Sequence, residues 1–168
     1  MQLSIVIPLY NEQNSIKELN ETIEKVVSAM GIKYEIIYID DGSNDNSWNV
    51  IKDLAKEYDQ IKGIKFLRNF GKSQALSAGF KSARGDVIIT MDADLQDDPN
   101  EIPDLFKAIN EENFDLISGW KKKRYDSFFL KRLPSSLFNL VARLFSGIKL
   151  NDFNCGIKVY KKEVIKSI

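Results

Sequence analysis

The sequence predicts an α/β fold with a mostly parallel central sheet and helices on both of its faces. Short runs of β-branched and other apolar residues alternate with segments whose apolar residues recur at helical spacing. Parallel strands need crossover connections, which helices usually supply, so this alternation favours a parallel sheet. Ligands of such sheets bind at the carboxyl ends of the strands, and the acidic residues of this sequence cluster there.

The predicted elements follow one another along the first two thirds of the chain. The first strand covers residues 3–7, and the helical pattern that begins at Ile16 ends at Gly31. Pro99 and Pro103 mark the start of a later helix. The remaining strands are predicted over residues 34–39, 64–67, 87–91 and 116–118, and the remaining helices over residues 48–58, 73–83 and 101–110.

Length and composition limit the possible functions. A chain of 168 residues with 43% hydrophobic side chains can bury the core of one domain, which argues against disorder. The absence of histidine excludes Ser-His-Asp and Cys-His catalysis, and the single Cys155 cannot form an internal disulfide. No run approaches the roughly 18 apolar residues of a membrane-spanning helix, and the first residues lack signal-peptide features. We expect a reducing, cytoplasmic environment.

The net charge of zero conceals an asymmetry. Residues 1–116 contain 12 Lys and Arg against 21 Asp and Glu, whereas residues 117–168 contain 12 against 3. This basic end of the chain favours an anionic partner such as a phosphate, a membrane surface or nucleic acid, although a basic face can simply be solvated. Residues 127–146 have an apolar stripe flanked by Lys131, Arg132 and Arg143. That pattern is typical of a helix on an anionic membrane surface and equally of a helix packed on its own domain.

Three acidic clusters follow predicted strands. They are residues 8–12 after the first strand, residues 40–43 after the second, and residues 92–98 after the fourth. Because the loops after parallel strands lie at one edge of the sheet, we expect these clusters to converge. Carboxylates brought together in this way repel one another unless a cation or the donors of a ligand compensate them.

The third cluster indicates a divalent cation site. Asp92 and Asp94 are two residues apart at a strand end, and Ala93 between them leaves the approach open. Both carboxylates can reach one hard ion whose other ligands are water and phosphate oxygens. An Asp-rich turn that caps a helix is the alternative.

Asp40 and Asp41 suit recognition of the base or ribose of a nucleotide, since carboxylates accept hydrogen bonds from ring N–H and hydroxyl groups. A turn followed by a helix start near Ser47 would use the same residues. Gly71-Lys72-Ser73 matches the end of a Walker A loop, but the required first glycine is replaced by Phe66. No Gly-x-Gly-x-x-Gly follows any predicted strand, so a dehydrogenase-type fold has little support.

Five motifs are spread over nearly the whole chain. They are Val6-Ile7-Pro8-Leu9-Tyr10-Asn11-Glu12, Asp40-Asp41-Gly42-Ser43-Asn44-Asp45, Asn69-Phe70-Gly71-Lys72, Ala83-Arg84-Gly85-Asp86 and Met91-Asp92-Ala93-Asp94-Leu95-Gln96-Asp97. In order and spacing they resemble the motifs of family 2 glycosyltransferases, and within that family those of the polyprenyl-phosphate branch, which includes dolichol-phosphate mannosyltransferases. The resemblance implies the GT-A fold, a nucleotide-sugar donor and a Mn²⁺ or Mg²⁺ ion.

The resemblance also implies roles for individual residues. Positions that hold the base and ribose match Pro8, Tyr10, Glu12 and Asp41, and positions around the metal and diphosphate match Asp92, Asp94 and Gln96. Lys121, with Lys131 or Arg132, stands near the positions that grip a lipid phosphate; lysine replaces the usual arginine after Gly119 and lacks its bidentate fork. In a late Asp-x-x-x-Gly-aromatic motif, Ile157 replaces the aromatic residue and Cys155 the commoner serine.

The expected activity is inverting transfer of a sugar from a UDP- or GDP-sugar to undecaprenyl or dolichyl phosphate, at the inner face of the cell membrane. Residues 1–119 would bind the donor, and residues 120–168 of the same domain would face acceptor and membrane. We expect no nucleic-acid partner. The chain ends before the further helices of complete enzymes of this kind, so a truncated acceptor site is expected. Transfer to a sugar hydroxyl and a silent nucleotide-binding module are the alternatives; the hydroxyl acceptor is disfavoured because residues 117–168 lack the Glu-Asp pair typical of such members.

Overall fold

The computed structural model describes residues 1–112, 114–119 and 156–166, and within these a six-stranded sheet forms the centre of the molecule. The sheet has the order β3-β2-β1-β4-β6-β5. The first four strands in this order are parallel, whereas β6 is antiparallel to both of its neighbours. The strands are β1 (Leu3–Leu9), β2 (Tyr34–Asp40), β3 (Ile61–Lys65), β4 (Val87–Thr90), β5 (Leu116–Ser118) and β6 (Lys158–Lys161).

Helices cover both faces of this sheet, which confirms the predicted fold class. One face packs against α1, α2 and α4, and the other against α3. The helices are α1 (Ile16–Ser28), α2 (Ser47–Glu57), α3 (Lys72–Ser82), α4 (Ile102–Glu111) and α5 (Lys162–Lys166), and a 3₁₀ turn at Pro99–Glu101 precedes α4.

Strand alternation explains the two layers. In β1, Ile5 and Ile7 belong to the larger core beneath α1, α2 and α4, while Val6 belongs to the smaller core beneath α3. All seven residues of β1 are buried, as expected of a central strand. This rigid central strand and its parallel neighbours hold their carboxyl ends, and the loops that follow them, at one edge.

The predicted third strand is wrong in position, because residues 61–65 rather than 64–67 pair with β2. Lys62 and Gly63 interrupt the apolar run, so the sequence pattern did not include residues 61–63 in the strand. The structure accepts Lys62 there because β3 is an edge strand, which tolerates charges that a central strand does not. Leu67, predicted to be in the strand, is fully exposed. The sequence pattern did not predict β6 and α5, and β6 separates β5 from β4. The proposed amphipathic helix over residues 127–146 lies outside the described residues.

A buried carboxylate of β2 connects this strand to β1, to β3 and to the loop before β4. Glu35 of β2 is fully buried, and its Oε1 accepts hydrogen bonds from Ser4 Oγ and from the backbone N–H of Arg84, both at 2.7 Å. Its Oε2 accepts from Lys62 Nζ at 2.8 Å and Arg84 Nε at 3.1 Å. The Ser4 hydroxyl in turn accepts from the backbone N–H of Gly85 at 2.8 Å. The Ala83-Arg84-Gly85-Asp86 motif therefore ties α3 and β4 to β1 and β2.

The pH dependence of stability should reflect Glu35. Burial by itself raises its pKa, but the hydrogen bonds from Lys62, Ser4 and Arg84 and the charge of Lys62 outweigh this and lower the pKa from 4.5 to about 2. The carboxylate therefore stabilises the fold above about pH 4.5, and this contribution is lost as the pH falls towards 2.

We expect Glu35→Gln to lower the free energy of unfolding by about 2 to 3 kcal/mol at neutral pH. The difference from the wild type should shrink between pH 4.5 and 2. Urea unfolding at several pH values measures this, with Glu21→Gln on the exposed face of α1 as the matched control. A constant difference across that range would contradict the assignment.

Candidate active site

A cavity of about 280 Å³ lies at the carboxyl ends of the parallel strands. Its walls come from the end of β1, from the loops after β1, β2 and β4, from the loop between β3 and α3, and from the start of α3. Four carboxylates and one ammonium group are present among the described residues that line it. The lining residues are Pro8, Leu9, Tyr10, Glu12, Asp41, Asn69, Gly71, Lys72, Ala75, Asp92, Ala93 and Asp94.

Side-chain hydrogen bonds join the loops after β1 and β2. The backbone N–H of Asn11 donates to Ser43 Oγ at 2.9 Å, and the N–H of Asn44 donates to Asn11 Oδ1 at 2.9 Å. Asn44 Nδ2 also donates to the hydroxyl of Tyr10 at 3.2 Å, which orients this exposed ring at the cavity. These hydrogen bonds hold the two loops together, and they leave the face of the Tyr10 ring available to a ligand.

Asp41 connects the loop after β2 to the loop between β3 and α3. Its Oδ1 accepts a hydrogen bond from the backbone N–H of Phe70 at 2.8 Å, and its Oδ2 accepts from the N–H of Gly71 at 2.9 Å. The side chain is buried at the cavity wall. Because Gly71 immediately precedes α3, this clamp fixes where α3 begins and where Lys72 stands.

The loop after β4 presents Asp92 and Asp94. The backbone N–H of Asp92 donates to Asp97 Oδ2 at 3.1 Å, and the N–H of Gln96 donates to Asp94 Oδ1 at 3.1 Å. Leu95 has a left-handed backbone, φ 61°, which turns the chain back on itself. Both bonds leave carboxylate oxygens of Asp92 and Asp94 at the cavity, with the buried Ala93 between them.

Lys72 is the counter-ion of Asp92. Its Nζ donates to Asp92 Oδ1 across the cavity, from the first turn of α3 to the loop after β4. The side chain of Lys72 is 53% exposed and that of Asp92 27% exposed. Lys72 belongs to the Asn69-Phe70-Gly71-Lys72 motif, but no function was predicted for it from the sequence. The signal that could have found it is its position after β3, at the edge where the acidic clusters converge.

Gly156 lies directly against the acidic loop. A Cβ atom at this position would stand 2.6 Å from Asp92 Oδ2 and in hard contact with Asp97. The Gly156 carbonyl accepts a hydrogen bond from Thr90 Oγ1 of β4 at 3.1 Å. The backbone before β6 thus supports Asp92 from behind, and Ile157, which replaces the expected aromatic residue, is buried in the larger core.

The cavity brings together six of the residues predicted for the site, namely Pro8, Tyr10, Glu12, Asp41, Asp92 and Asp94. Two others do not line it. Asp40 is fully buried, and its Oδ1 accepts from the backbone N–H of Ser43 at 2.8 Å. Gln96 is exposed and contributes its backbone N–H to Asp94. The predicted phosphate-binding residues Lys121, Lys131 and Arg132 lie outside the described residues.

The site fits a hard divalent cation that is held jointly with a ligand. Within residues 1–112, 114–119 and 156–166 no group of three or more acidic, cysteine or histidine side chains is arranged to hold a metal alone. Asp92 and Asp94 nevertheless line one cavity, and Asp92 already binds a positive charge there, the ammonium of Lys72. Two carboxylates with water and phosphate oxygens form a donor set suited to Mg²⁺ or Mn²⁺.

Comparison with known proteins identifies the family. Residues 4–168 match the sequence profile of Glycosyl transferase family 2, and the chain belongs to that family. It is 44% identical over 167 residues to undecaprenyl-phosphate 4-deoxy-4-formamido-L-arabinose transferase of Shewanella sediminis, covering 99% of this chain and 50% of that protein. It is 36% identical over 169 residues to dodecaprenyl-phosphate galacturonate synthase of Rhizobium johnstonii, covering 100% of this chain and 50% of that protein. These relatives belong to the polyprenyl-phosphate branch, and the chain spans about half of their length.

Solved structures agree on the fold, which is GT-A. A mannosyltransferase from Pyrobaculum calidifontis in complex with GDP-Man and Mn²⁺ superposes with a TM-score of 0.72 at 19% identity, covering 99% of this chain and 46% of that one. Glucosyl-3-phosphoglycerate synthase from Mycobacterium tuberculosis, in complex with Mn²⁺, UDP and phosphoglyceric acid, gives a TM-score of 0.77 at 19% identity, covering 99% and 58%. In the part of this chain that the structure describes, none of the helices is both long and apolar enough to cross a membrane.

Proposed function

We propose that this chain binds the donor and provides the catalytic carboxylates of an inverting glycosyltransferase that transfers a sugar from a UDP- or GDP-sugar to a polyprenyl phosphate. The observation that carries the proposal is the cavity at the sheet edge, where Asp92 and Asp94 stand with Lys72. Its four carboxylates repel an anionic diphosphate unless cations intervene, so the site suits a diphosphate that binds together with a metal ion.

Asp92 and Asp94 would hold Mn²⁺ or Mg²⁺ in this proposal. The bound ion would supply Lewis-acid stabilisation of the charge that develops on the leaving diphosphate. Gln96 is the third residue proposed near the ion, and its backbone N–H orients Asp94. The remaining wall suits the nucleoside, because Tyr10 offers an aromatic face and Glu12 and Asp41 offer acceptors for ring N–H and ribose hydroxyl groups. Pro8 would complete that wall, and Asp40 would support it from beneath.

A phosphate acceptor suits this chain better than a hydroxyl acceptor. A monoalkyl phosphate, with a second pKa near 6, is largely ionised at neutral pH and attacks without a general base. The relatives named above carry undecaprenyl-phosphate and dodecaprenyl-phosphate in their names. In this proposal residues 1–119 bind the donor, and residues 120–168, with Lys121, Lys131 and Arg132, face the lipid phosphate. The enzyme would then work at the cytoplasmic face of the membrane as a peripheral protein.

A transfer assay tests the proposal. UDP- and GDP-sugars are offered with Mn²⁺, with undecaprenyl phosphate, dolichyl phosphate or an oligosaccharide as acceptor, beside a thermal-shift titration with UDP and GDP. We expect a sugar-linked polyprenyl phosphate with one of the two donor classes. Product on the oligosaccharide alone would favour the hydroxyl acceptor. Nucleotide-dependent stabilisation without any transfer would favour a silent binding module.

A further inference from the structure

The cavity contains an internal cation on one of the proposed ligands of the metal ion. Among the described residues that line the cavity, Lys72 carries the only positive charge, and its ammonium group binds Asp92 Oδ1. Asp92 is also a proposed ligand of the divalent ion. A dication and an ammonium group cannot share that oxygen without strong repulsion, since like charges a few ångströms apart repel.

The position of Lys72 is not explained by helix stability. Lys72 opens α3, and no acidic residue occupies the first turn of that helix. A cation at the N-terminus of a helix opposes the helix dipole, whereas an anion there is favourable. The contact with Asp92, together with the clamp of Asp41 on Phe70 and Gly71, accounts for a lysine at this place.

The ion pair between Lys72 and Asp92 is exposed enough for its partners to separate and bind other ions. With Lys72 53% exposed and Asp92 27% exposed, water reaches both partners, and a pair of this kind is held only weakly. Lysine has a flexible four-carbon stem, so its ammonium group can change partner while Asp41 holds the backbone of Phe70 and Gly71. An arriving diphosphate would offer the ammonium group new anionic oxygens, and a departing diphosphate would return it to Asp92.

We infer that Lys72 is a built-in counter-ion that occupies Asp92 in the donor-free protein and moves to the donor diphosphate when the divalent cation binds. The exchange makes cation binding and donor binding cooperative. The cation alone must displace Lys72 from Asp92, and the diphosphate alone can bind Lys72 only by leaving Asp92 without its counter-ion. With both ligands bound, Asp92 faces the cation and Lys72 faces the diphosphate. The inference rests on the proposed function of the site, because it assumes that a nucleoside diphosphate and a divalent ion bind there.

Lys72→Met tests the inference, because it removes the charge and keeps a similar stem. Binding of Mn²⁺ is followed by the electron paramagnetic resonance signal of free Mn²⁺, first without nucleotide and then with UDP or GDP. We expect Lys72→Met to bind Mn²⁺ alone more tightly than the wild type, by a factor on the order of ten. The same variant should bind metal-free UDP or GDP more weakly. A general structural defect would weaken the binding of both Mn²⁺ and the nucleotide, and it would not change the two affinities in opposite directions.

Lys81→Met is the matched control, since Lys81 is exposed in the last turn of the same helix and its removal changes the net charge equally. It should leave both affinities unchanged. If the wild type binds Mn²⁺ with nucleotide and Lys72→Met binds Mn²⁺ alone no more tightly, the inference is overturned and the proposed function stands. If neither protein retains Mn²⁺ with either nucleotide, the proposed function fails as well.

Discussion

Replacing Asp94 with asparagine should reduce sugar transfer by a factor on the order of 10² to 10³ and leave the melting temperature nearly unchanged. Asp94 is exposed and lines the cavity, and its one described backbone contact is the hydrogen bond that Oδ1 accepts from Gln96 at 3.1 Å. An asparagine carbonyl accepts the same bond, so the loop keeps its shape. The variant loses the negative charge that would bind the cation, and initial transfer rates with Mn²⁺ measure the loss.

Asp98→Asn is the matched control for this prediction. Asp98 belongs to the same acidic run and is likewise exposed, and its Oδ1 accepts from the backbone N–H of Asn100 at 2.9 Å. It does not line the cavity. Its substitution should therefore leave transfer within about twofold of the wild type, as for surface substitutions away from a site. Equal activity of Asp94→Asn and the wild type would rule out Asp94 as a metal ligand.

Gly156→Ala should weaken binding of the nucleotide and Mn²⁺ together by tenfold or more, since the site geometry must be held within about half an ångström. The new methyl group would stand 2.6 Å from Asp92 Oδ2 and would press on Asp97, which accepts from the Asp92 N–H. Either the acidic loop or the backbone before β6 must move. We also expect a loss of about 1 to 3 kcal/mol in the free energy of unfolding, the usual cost of overpacking.

Gly63→Ala is the control that separates the effect of Gly156→Ala on ligand binding from its effect on the free energy of unfolding. A Cβ at Gly63 would stand 2.7 Å from Ile51 Cγ2, between β3 and α2, and Gly63 does not line the cavity. This variant should be destabilised by overpacking while it binds nucleotide and Mn²⁺ as tightly as the wild type, measured by calorimetry well below its melting temperature. Normal affinity in Gly156→Ala would show that the backbone before β6 does not support the acidic loop.

The sequence predicted the elements whose pattern is local. Apolar runs predicted β1, β2 and β4, helical spacing predicted α1, and two prolines marked the start of α4. Each signal is visible within one short window, and all five elements are present in the structure. The convergence of the acidic loops also followed from topology, because parallel strands carry their carboxyl ends to one edge. Asp92 and Asp94 therefore line one cavity with Glu12 and Asp41.

The parts that sequence reasoning missed depend on long-range contacts. Strand β6 (Lys158–Lys161) lies antiparallel between β4 and β5. No local sequence pattern encodes that insertion. The sequence also did not show which of the adjacent residues Asp40 and Asp41 faces the cavity. Successive side chains near a strand end point in opposite directions, so only one of the two can do so. In the structure Asp41 lines the cavity and Asp40 is buried.

The central claim is that Asp92 and Asp94 hold a divalent cation against the diphosphate of a nucleotide donor. Crystals of the chain grown with MnCl₂ and UDP or GDP, measured for the anomalous scattering of manganese, test it most directly. We expect one strong manganese peak within bonding distance of carboxylate oxygens of both aspartates and of the nucleotide phosphates, with Lys72 no longer on Asp92. A nucleotide bound in the cavity with no manganese near either aspartate would contradict the claim.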